Sequence, residues 1–433
     1  MSWFLSLMLA VMLLLIAIIA RIHEKSWFAP GAFFALMWSV YTLAPILISP
    51  NYYVSPMAVL LIILFVCSIF FGSVVGYSLN SKNKQIDKRI ILERFLSKQS
   101  KKLLLFFVII CNIFGYITVA ITLHSVGLGY NPLNIFDIEL LAKTANAVST
   151  ARYTEEFDIP FLGRVLSSFI YAGGAFSGIS FVMLKSRYYK IIILVFSFLP
   201  SLFITILLTT KAMFLVTLIF AISAWLAAQV ILNGRNAKLF TRGRVLLMFF
   251  ASLVFYIFFT IVMFFRAGKY GSFIYDKLRI AALGHIGAFS EWIDEFDEVS
   301  LSWGKYSFAG IFNLLGLHKR ELGIFTEKVD IGDPSGELTN VYTAFRPFIE
   351  DFSFVGATLI LFIIGVIAGK AYKDLLQGKI GSLFILIFFY VFTLWSPVTW
   401  ILNYNSIILA ILILSCYSML LYHRIFKKRQ SEV

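Results

Sequence analysis

The sequence predicts an all-α polytopic integral membrane protein with about eleven transmembrane helices (range about ten to twelve) and one large loop on the outer side. Three observations carry this. The 433-residue chain is 60% hydrophobic and 14% charged, with 46 Phe, well past the roughly half apolar share of a soluble domain. Its apolar residues gather into runs of about 20, the length a helix needs to cross a hydrocarbon layer, and in lipid a helix satisfies its own backbone. The charges are also partitioned. Alternate loops, counted from Arg21 onward, carry 24 of the 37 Lys and Arg but only 5 of the 23 Asp and Glu, which leaves 13 basic and 18 acidic residues opposite. That asymmetry is the positive-inside rule, so the net charge of +14 reports orientation in a membrane and no nucleic-acid partner is expected.

The first run, 2–20, has no basic residue before it and is followed by Arg21 and Lys25. It reads as a retained anchor with the N-terminus outside and not as a cleaved signal. Runs at 27–49 and 56–77 are joined by a short outer loop at 50–55. The segment 80–102 holds Lys82, Lys84, Lys88, Arg89, Arg94, Lys98, Lys101 and Lys102 and is the strongest cytoplasmic marker, a solvated face suited to anionic headgroups. The run 103–123 leads to a medium outer loop at about 124–159, whose stretch 133–146 has helical spacing suited to the interface. Runs at 160–184 and 191–208 flank a short basic link, Thr209, Thr210 and Lys211 make a tight outer turn before 212–232, and the basic 233–244 precedes 245–265. These make up a first division, 1–265. The large outer loop, 266–351, is the second. The third, 352–433, has runs at 352–371, 380–395 and 400–421 and a tail with Arg424, Lys427, Lys428 and Arg429, a cytoplasmic C-terminus.

No metal or other cofactor is expected: Cys67, Cys111 and Cys416 all lie inside apolar runs, and the five His share no HxxxH spacing. The middles of the runs are nearly free of charge, whereas transporters and pumps use titrating or pairing groups there. Ionisable residues gather instead at the outer boundary, among them Arg152, Arg164, Lys211, Arg266, Lys269, Arg279, His285, Arg346, Glu350 and Asp351. That geography suits an enzyme whose lipid-linked substrate presents its polar head at the outer leaflet. Arg266 and Lys269 suit phosphate or pyrophosphate, because a guanidinium fork binds two oxygens and stays charged; the plainer reading of Arg266 is a snorkelling anchor.

Residues 276–296 read as one amphipathic helix, with Leu278, Ala282, His285, Phe289, Trp292 and Phe296 at three- and four-residue spacing. His285, on that stripe, is either a hydrogen-bonded core histidine or a general base. Pro347 disfavours helical geometry at Arg346, which predicts an arginine held at a bend and not on a helix face. Glu350 and Asp351 suit either the positive end of the next span or acid–base work.

The segment Gly336-Glu337-Leu338-Thr339-Asn340-Val341-Tyr342-Thr343-Ala344-Phe345-Arg346-Pro347-Phe348-Ile349-Glu350-Asp351-Phe352, followed by Gly356, is the most specific in the chain. Here the sequence resembles the bacterial O-antigen (oligosaccharide repeat-unit) polymerase family. In that family a Thr-Asn-Val-Tyr-Thr-like stretch precedes an acidic or aromatic pair, a short Asp-Phe element and a glycine in the next span. The layout is similar too, with short basic inner loops and the largest outer loop before the last few spans. Arg152 and Gly163 match an Arg-x10-Gly pattern that some members show on outer loops, and the long insertion does not repeat it.

The resemblance implies a glycosyltransferase that polymerises undecaprenyl-pyrophosphate-linked oligosaccharide repeat units into O-antigen or a related surface polysaccharide, at the periplasmic face of the bacterial inner membrane. An acceptor hydroxyl attacks the anomeric carbon of the growing chain's reducing-end sugar, and undecaprenyl pyrophosphate leaves. The reaction needs cations where charge develops on the pyrophosphate and a base near the hydroxyl. Under this reading Arg266, Arg279 and Arg346, with Lys269, hold the pyrophosphate, and Arg152 adds to substrate binding. Asn340 and Tyr342 bond sugar hydroxyls, and His285, Glu350 and Asp351 are candidates for the base. The expected partners are the lipid-linked oligosaccharide and the bilayer, with a chain-length regulator and a flippase as further candidates. An O-antigen ligase shares the donor and differs in its lipid A-core acceptor. A flippase or other transporter is disfavoured by the uncharged span interiors, and a structural scaffold by the outer-boundary arginines.

Overall fold

The computed structural model describes residues 2–79, 88–129, 159–267, 272–297, 301–317 and 325–427, with scattered positions between 137 and 151. Among the described residues the chain is helical, with no strand and one isolated antiparallel bridge, Val329 to Thr339. In chain order the helices are α1 (Ser2–Glu24), α2 (Pro30–Ile48), α3 (Pro56–Ser78), α4 (Lys88–Phe95), α5 (Lys98–Ser125), α6 (Phe161–Met183), α7 (Arg187–Leu208), α8 (Ala212–Asn233), α9 (Arg242–Ala267), α10 (Ser272–Leu283), α11 (His285–Glu295), α12 (Ala309–Leu314), α13 (Phe345–Leu376), α14 (Leu383–Trp395) and α15 (Asn405–Lys427). Nine helices among the described residues are long and apolar enough to cross a membrane. They fall on nine of the eleven predicted runs. The run predicted at 380–395 is a shorter apolar helix, and the run predicted at 245–265 lies in the 26-residue α9.

The chain divides into two compact units. The first comprises Met1–Ile86, Asn233–Leu239 and Asp276–Asn405. In it α2 and α3 both start on proline, whose missing N–H is harmless in a first turn. The α1–α2 turn is held by Glu24, whose carboxylate accepts Ala32 N–H at 2.7 Å and Ser73 Oγ–H at 2.6 Å. An acidic group thus faces the positive end of α2 and ties it to α3. The α3–α13 contact is backbone to backbone. A Cβ at Gly72 or Gly76 would overlap the α13 main chain, and one at Gly365 or Gly369 the α3 main chain, so glycines four apart on both helices bring the axes together.

The second unit comprises Asp87–Leu232, Phe240–Tyr275 and Ser406–Val433. Its core has α5, α6 and α7 packed on one another, with Leu123, Ile170, Ile204 and Leu207 buried between them. Gly174 and Gly178 of α6 lie against α8 at Thr217 and Ala221. Phe107, Phe176 and Tyr417 pack together with ring centroids 5.0–5.4 Å apart, Tyr417 edge-on to both phenylalanines.

Two local expectations are corrected. The single helix predicted over 276–296 is two helices, α10 and α11, separated at Gly284. Glycine is a weak helix former, and Ile331 packs against both Gly284 and Gly287. The apolar stripe holds in α11, where His285, Phe289 and Trp292 are buried, and fails in α10, where Ala282 is exposed and Ile274 and Ile280 are buried instead. Arg346 is helical and not held at a bend: α13 starts at Phe345, so Pro347 falls in its first turn, where the missing N–H has no partner to lose. The break in α13 comes later, at Ser353 (φ 63°, ψ 178°), next to the predicted start of the span at 352.

Candidate functional site

The site forms where the segment 325–344 folds back on α11 and the first turns of α13. The bridge pairs Val329 N–H with Thr339 O at 2.8 Å and Thr339 N–H with Val329 O at 3.1 Å, which turns the segment into a narrow hairpin. Its base presents Phe325, Glu327, Asn340 and Tyr342; its tip carries Asp333. The Tyr342 hydroxyl donates to Glu327 O at 3.3 Å and Asn340 Nδ2 to Phe325 O at 3.5 Å, tying the two sides of the base together. Thr343 Oγ1 accepts Phe345 N–H at 3.3 Å and Ala344 N–H reaches Ser396 O at 2.7 Å, so the start of α13 is fixed in place.

Arg346 stands at the centre of this base. It is only 5% exposed. Its Cζ lies 3.9 Å from the Phe325 ring centre, 4.1 Å from Tyr342 and 5.2 Å from Trp292, so aromatic π-clouds replace the water its charge has lost. Nε donates to Glu350 Oε1 at 3.2 Å and Nη2 to Glu327 Oε2 at 2.8 Å. Nη1 is buried and has no partner among the described residues. A buried donor left unmade costs about 1–3 kcal/mol, so this nitrogen marks a place for an acceptor. Burial raises the Tyr342 phenol above its ordinary value, and the Arg346 charge offsets part of that.

Arg279 occupies a separate cluster at the hairpin tip. Its Nη2 donates to Asp333 Oδ1 at 2.7 Å and lies 3.1 Å from Asp276 Oδ1, and its Nε donates to Tyr52 at 3.2 Å. Tyr52 in turn donates to Asp333 Oδ1 at 2.8 Å. Burial alone would raise the Asp333 carboxyl, but hydrogen bonds from Ser335, Tyr52 and Arg279 outweigh it and bring it down to about 2. Burial, then the Asp333 contact, pushes Tyr52 up to about 12.

His285 and Asp351 stand apart from both. His285 is buried with Nε2 3.1 Å from Tyr41 O; burial brings it down to about 4, so it is neutral at neutral pH and Nε2 is the donor. Asp351 is fully buried, and its carboxylate accepts Tyr306 N–H at 3.1 Å and Ser307 N–H at 2.5 Å. Ser302 and Trp303 N–H cap the Glu350 and Asp351 carbonyls at 3.1 and 3.2 Å, satisfying carbonyls just ahead of the Ser353 break.

Of the residues singled out in the sequence, the structure brings together Tyr342, Arg346 and Glu350, with Asn340 beside them, and sends Arg279, His285 and Asp351 elsewhere. Arg152 and Lys269, and the side chain of Arg266, lie outside the described residues. Phe325 and Glu327 carried no signal in the sequence, since nothing near them is periodic or motif-like. Trp292 was legible as an apolar-stripe residue and not as a partner of arginine. Among the described residues no group of three or more His, Cys, Asp or Glu is placed to hold a metal ion. No protein-family model, curated protein or solved structure matches the chain.

Proposed function

We propose that the protein polymerises undecaprenyl-pyrophosphate-linked oligosaccharide repeat units at the periplasmic face of the bacterial inner membrane, with Arg346 as the cation for the leaving pyrophosphate. The observation that carries the reading is the buried Arg346 guanidinium, one nitrogen of which has no partner among the described residues. A headgroup anchor would keep its charge in water, whereas a buried donor edge set in aromatic rings suits a phosphate oxygen whose charge grows as the glycosidic bond breaks. Its place in the first turn of α13, in the segment that resembles the polymerase family, supports the same reading, and the charge partition supports the outer side.

In this reaction the acceptor hydroxyl oxygen forms a bond to the anomeric carbon while the bond from that carbon to the pyrophosphate oxygen breaks. The hydroxyl proton passes to a carboxylate. Glu350 is the favoured acceptor, because it lies beside Arg346 and keeps 20% of its side chain exposed. Asp351 is engaged with backbone N–H groups and His285 with a backbone carbonyl. Tyr342 and Asn340 remain the candidates for sugar hydroxyls. Deleting the gene should leave lipopolysaccharide with a single repeat unit on lipid A-core and no ladder on a gel. Loss of the one-unit band as well would make the protein a ligase.

A further inference from the structure

We infer that Glu327 is an internal occupant of the anion site: its carboxylate covers half of Arg346's two-pronged edge and is displaced when a pyrophosphate binds. A guanidinium offers a side edge at Nε and an end edge at Nη1 and Nη2. Glu350 takes Nε at 3.2 Å, Glu327 takes Nη2 at 2.8 Å, and Nη1 has no partner among the described residues. With Glu327 in place the end edge is half blocked. Once Glu327 leaves, Nη2 is freed beside Nη1, and the end edge offers the fork that binds two oxygens of a phosphate.

The two carboxylates differ in a way that says which one moves. The Glu327 side chain is 70% exposed, while Glu350 sits one turn along α13 with its carbonyl capped by Ser302 N–H. The Glu327 main chain is pinned by the Tyr342 hydroxyl, so its carboxylate leaves by rotation about its own side-chain bonds and the hairpin stays put. Glu350 and the rings of Phe325, Tyr342 and Trp292 keep the guanidinium plane oriented throughout. With both carboxylates present the Arg346 charge is outnumbered and an incoming anion is repelled; with Glu327 gone that repulsion falls. Glu327 therefore sets the affinity for the anionic group and keeps weaker anions out.

The inference takes its ligand from the proposed function and its geometry from the Arg346 cluster. The test is titration calorimetry of farnesyl pyrophosphate against the purified full-length protein in phosphatidylcholine nanodiscs, for wild type, Glu327→Gln, Arg346→Lys and the double variant. Glu327→Gln should tighten binding about tenfold, the size of one charge-assisted contact no longer competed for, and Arg346→Lys should cancel the gain. Glu327 is exposed, so Glu327→Gln leaves the fold intact, and Glu327→Ala should act in the same direction. Unchanged or weaker binding by Glu327→Gln, with Arg346→Lys still impaired, overturns the inference and leaves the proposed function standing. Wild-type binding by Arg346→Lys overturns both. Inorganic pyrophosphate should show the same gain. A gain abolished by adding phosphatidylglycerol to the discs would make a phospholipid headgroup the occupant and overturn the pyrophosphate assignment.

Discussion

Arg279 and Arg346 lie in the same insertion, each with two carboxylates, the first beside one aromatic ring and the second among three, yet they are built for different purposes. Arg279 bonds a carboxylate that is itself locked: Asp333 has a fully buried side chain and also accepts from Tyr52 and Ser335. Arg346 bonds one carboxylate held on its own helix and one that is mostly exposed, and one of its nitrogens has no partner among the described residues. The first is a strut that closes the hairpin tip onto α10 and the α2–α3 turn. The second has the makings of a binding site. What separates them is how free the partners are to leave, a property of neighbours far apart in the chain.

The comparison can be broken first at the strut. Asp333→Ala removes the carboxylate that Arg279, Tyr52 and Ser335 share and leaves Arg279 with Asp276 as its remaining carboxylate, a loss of several hydrogen bonds worth roughly 3 kcal/mol in sum. The variant should melt well below wild type in detergent, and the protein that remains folded should still make ladders. A stable Asp333→Ala protein with no activity would reverse the assignment of the two arginines. The next largest effect belongs to the site. Arg346→Lys keeps the charge and loses the fork, so polymer ladders should fall about 10- to 100-fold at matched protein levels, the equivalent of roughly 1.5–3 kcal/mol. Wild-type ladders from Arg346→Lys would remove it from the site.

The smallest effect separates His285 from both centres. His285 titrates near 4 in the folded protein against about 6.5 when unfolded, so the unfolded chain takes up the proton first as pH falls. Its contribution to stability is therefore complete above about pH 6.5 and declines toward pH 4, by about 1 kcal/mol between pH 6.5 and 5.5. Asp333, lowered to about 2, contributes above about pH 4 and loses that contribution between pH 4 and 2. Thermal melts across pH should show the upper arm flattened by His285→Gln. An unchanged upper arm would place its cause in another group.

Much of the fold was legible because lipid imposes it. A helix that must satisfy its own backbone across a hydrocarbon layer leaves a run of fixed length, and nine such runs reappear as long apolar helices among the described residues. The insertion was less legible. One glycine divides a periodic stripe at Gly284, and a proline that argues against helix inside a run is tolerated in a first turn at Pro347. Both outcomes depend on position relative to a helix start, which periodicity does not reveal. The site was legible in part. Tyr342, Arg346 and Glu350 share one short segment, so the motif that drew attention to it held them together. Phe325 and Glu327 come from across the hairpin and Trp292 from α11.

By itself, the sequence determined that the chain is a polytopic helical membrane protein and where its polar insertion lies, because burial of an uncharged run in lipid is a local property of consecutive residues. Only the tertiary structure decided what each charged group in that insertion faces. An arginine withdrawn from water must find acceptors or a ligand wherever the fold offers them, and here the offers come from residues 4 and 19 positions away for Arg346 and 54 positions away for Arg279. No pattern along the chain records which of those acceptors is buried with it and which is free to swing out.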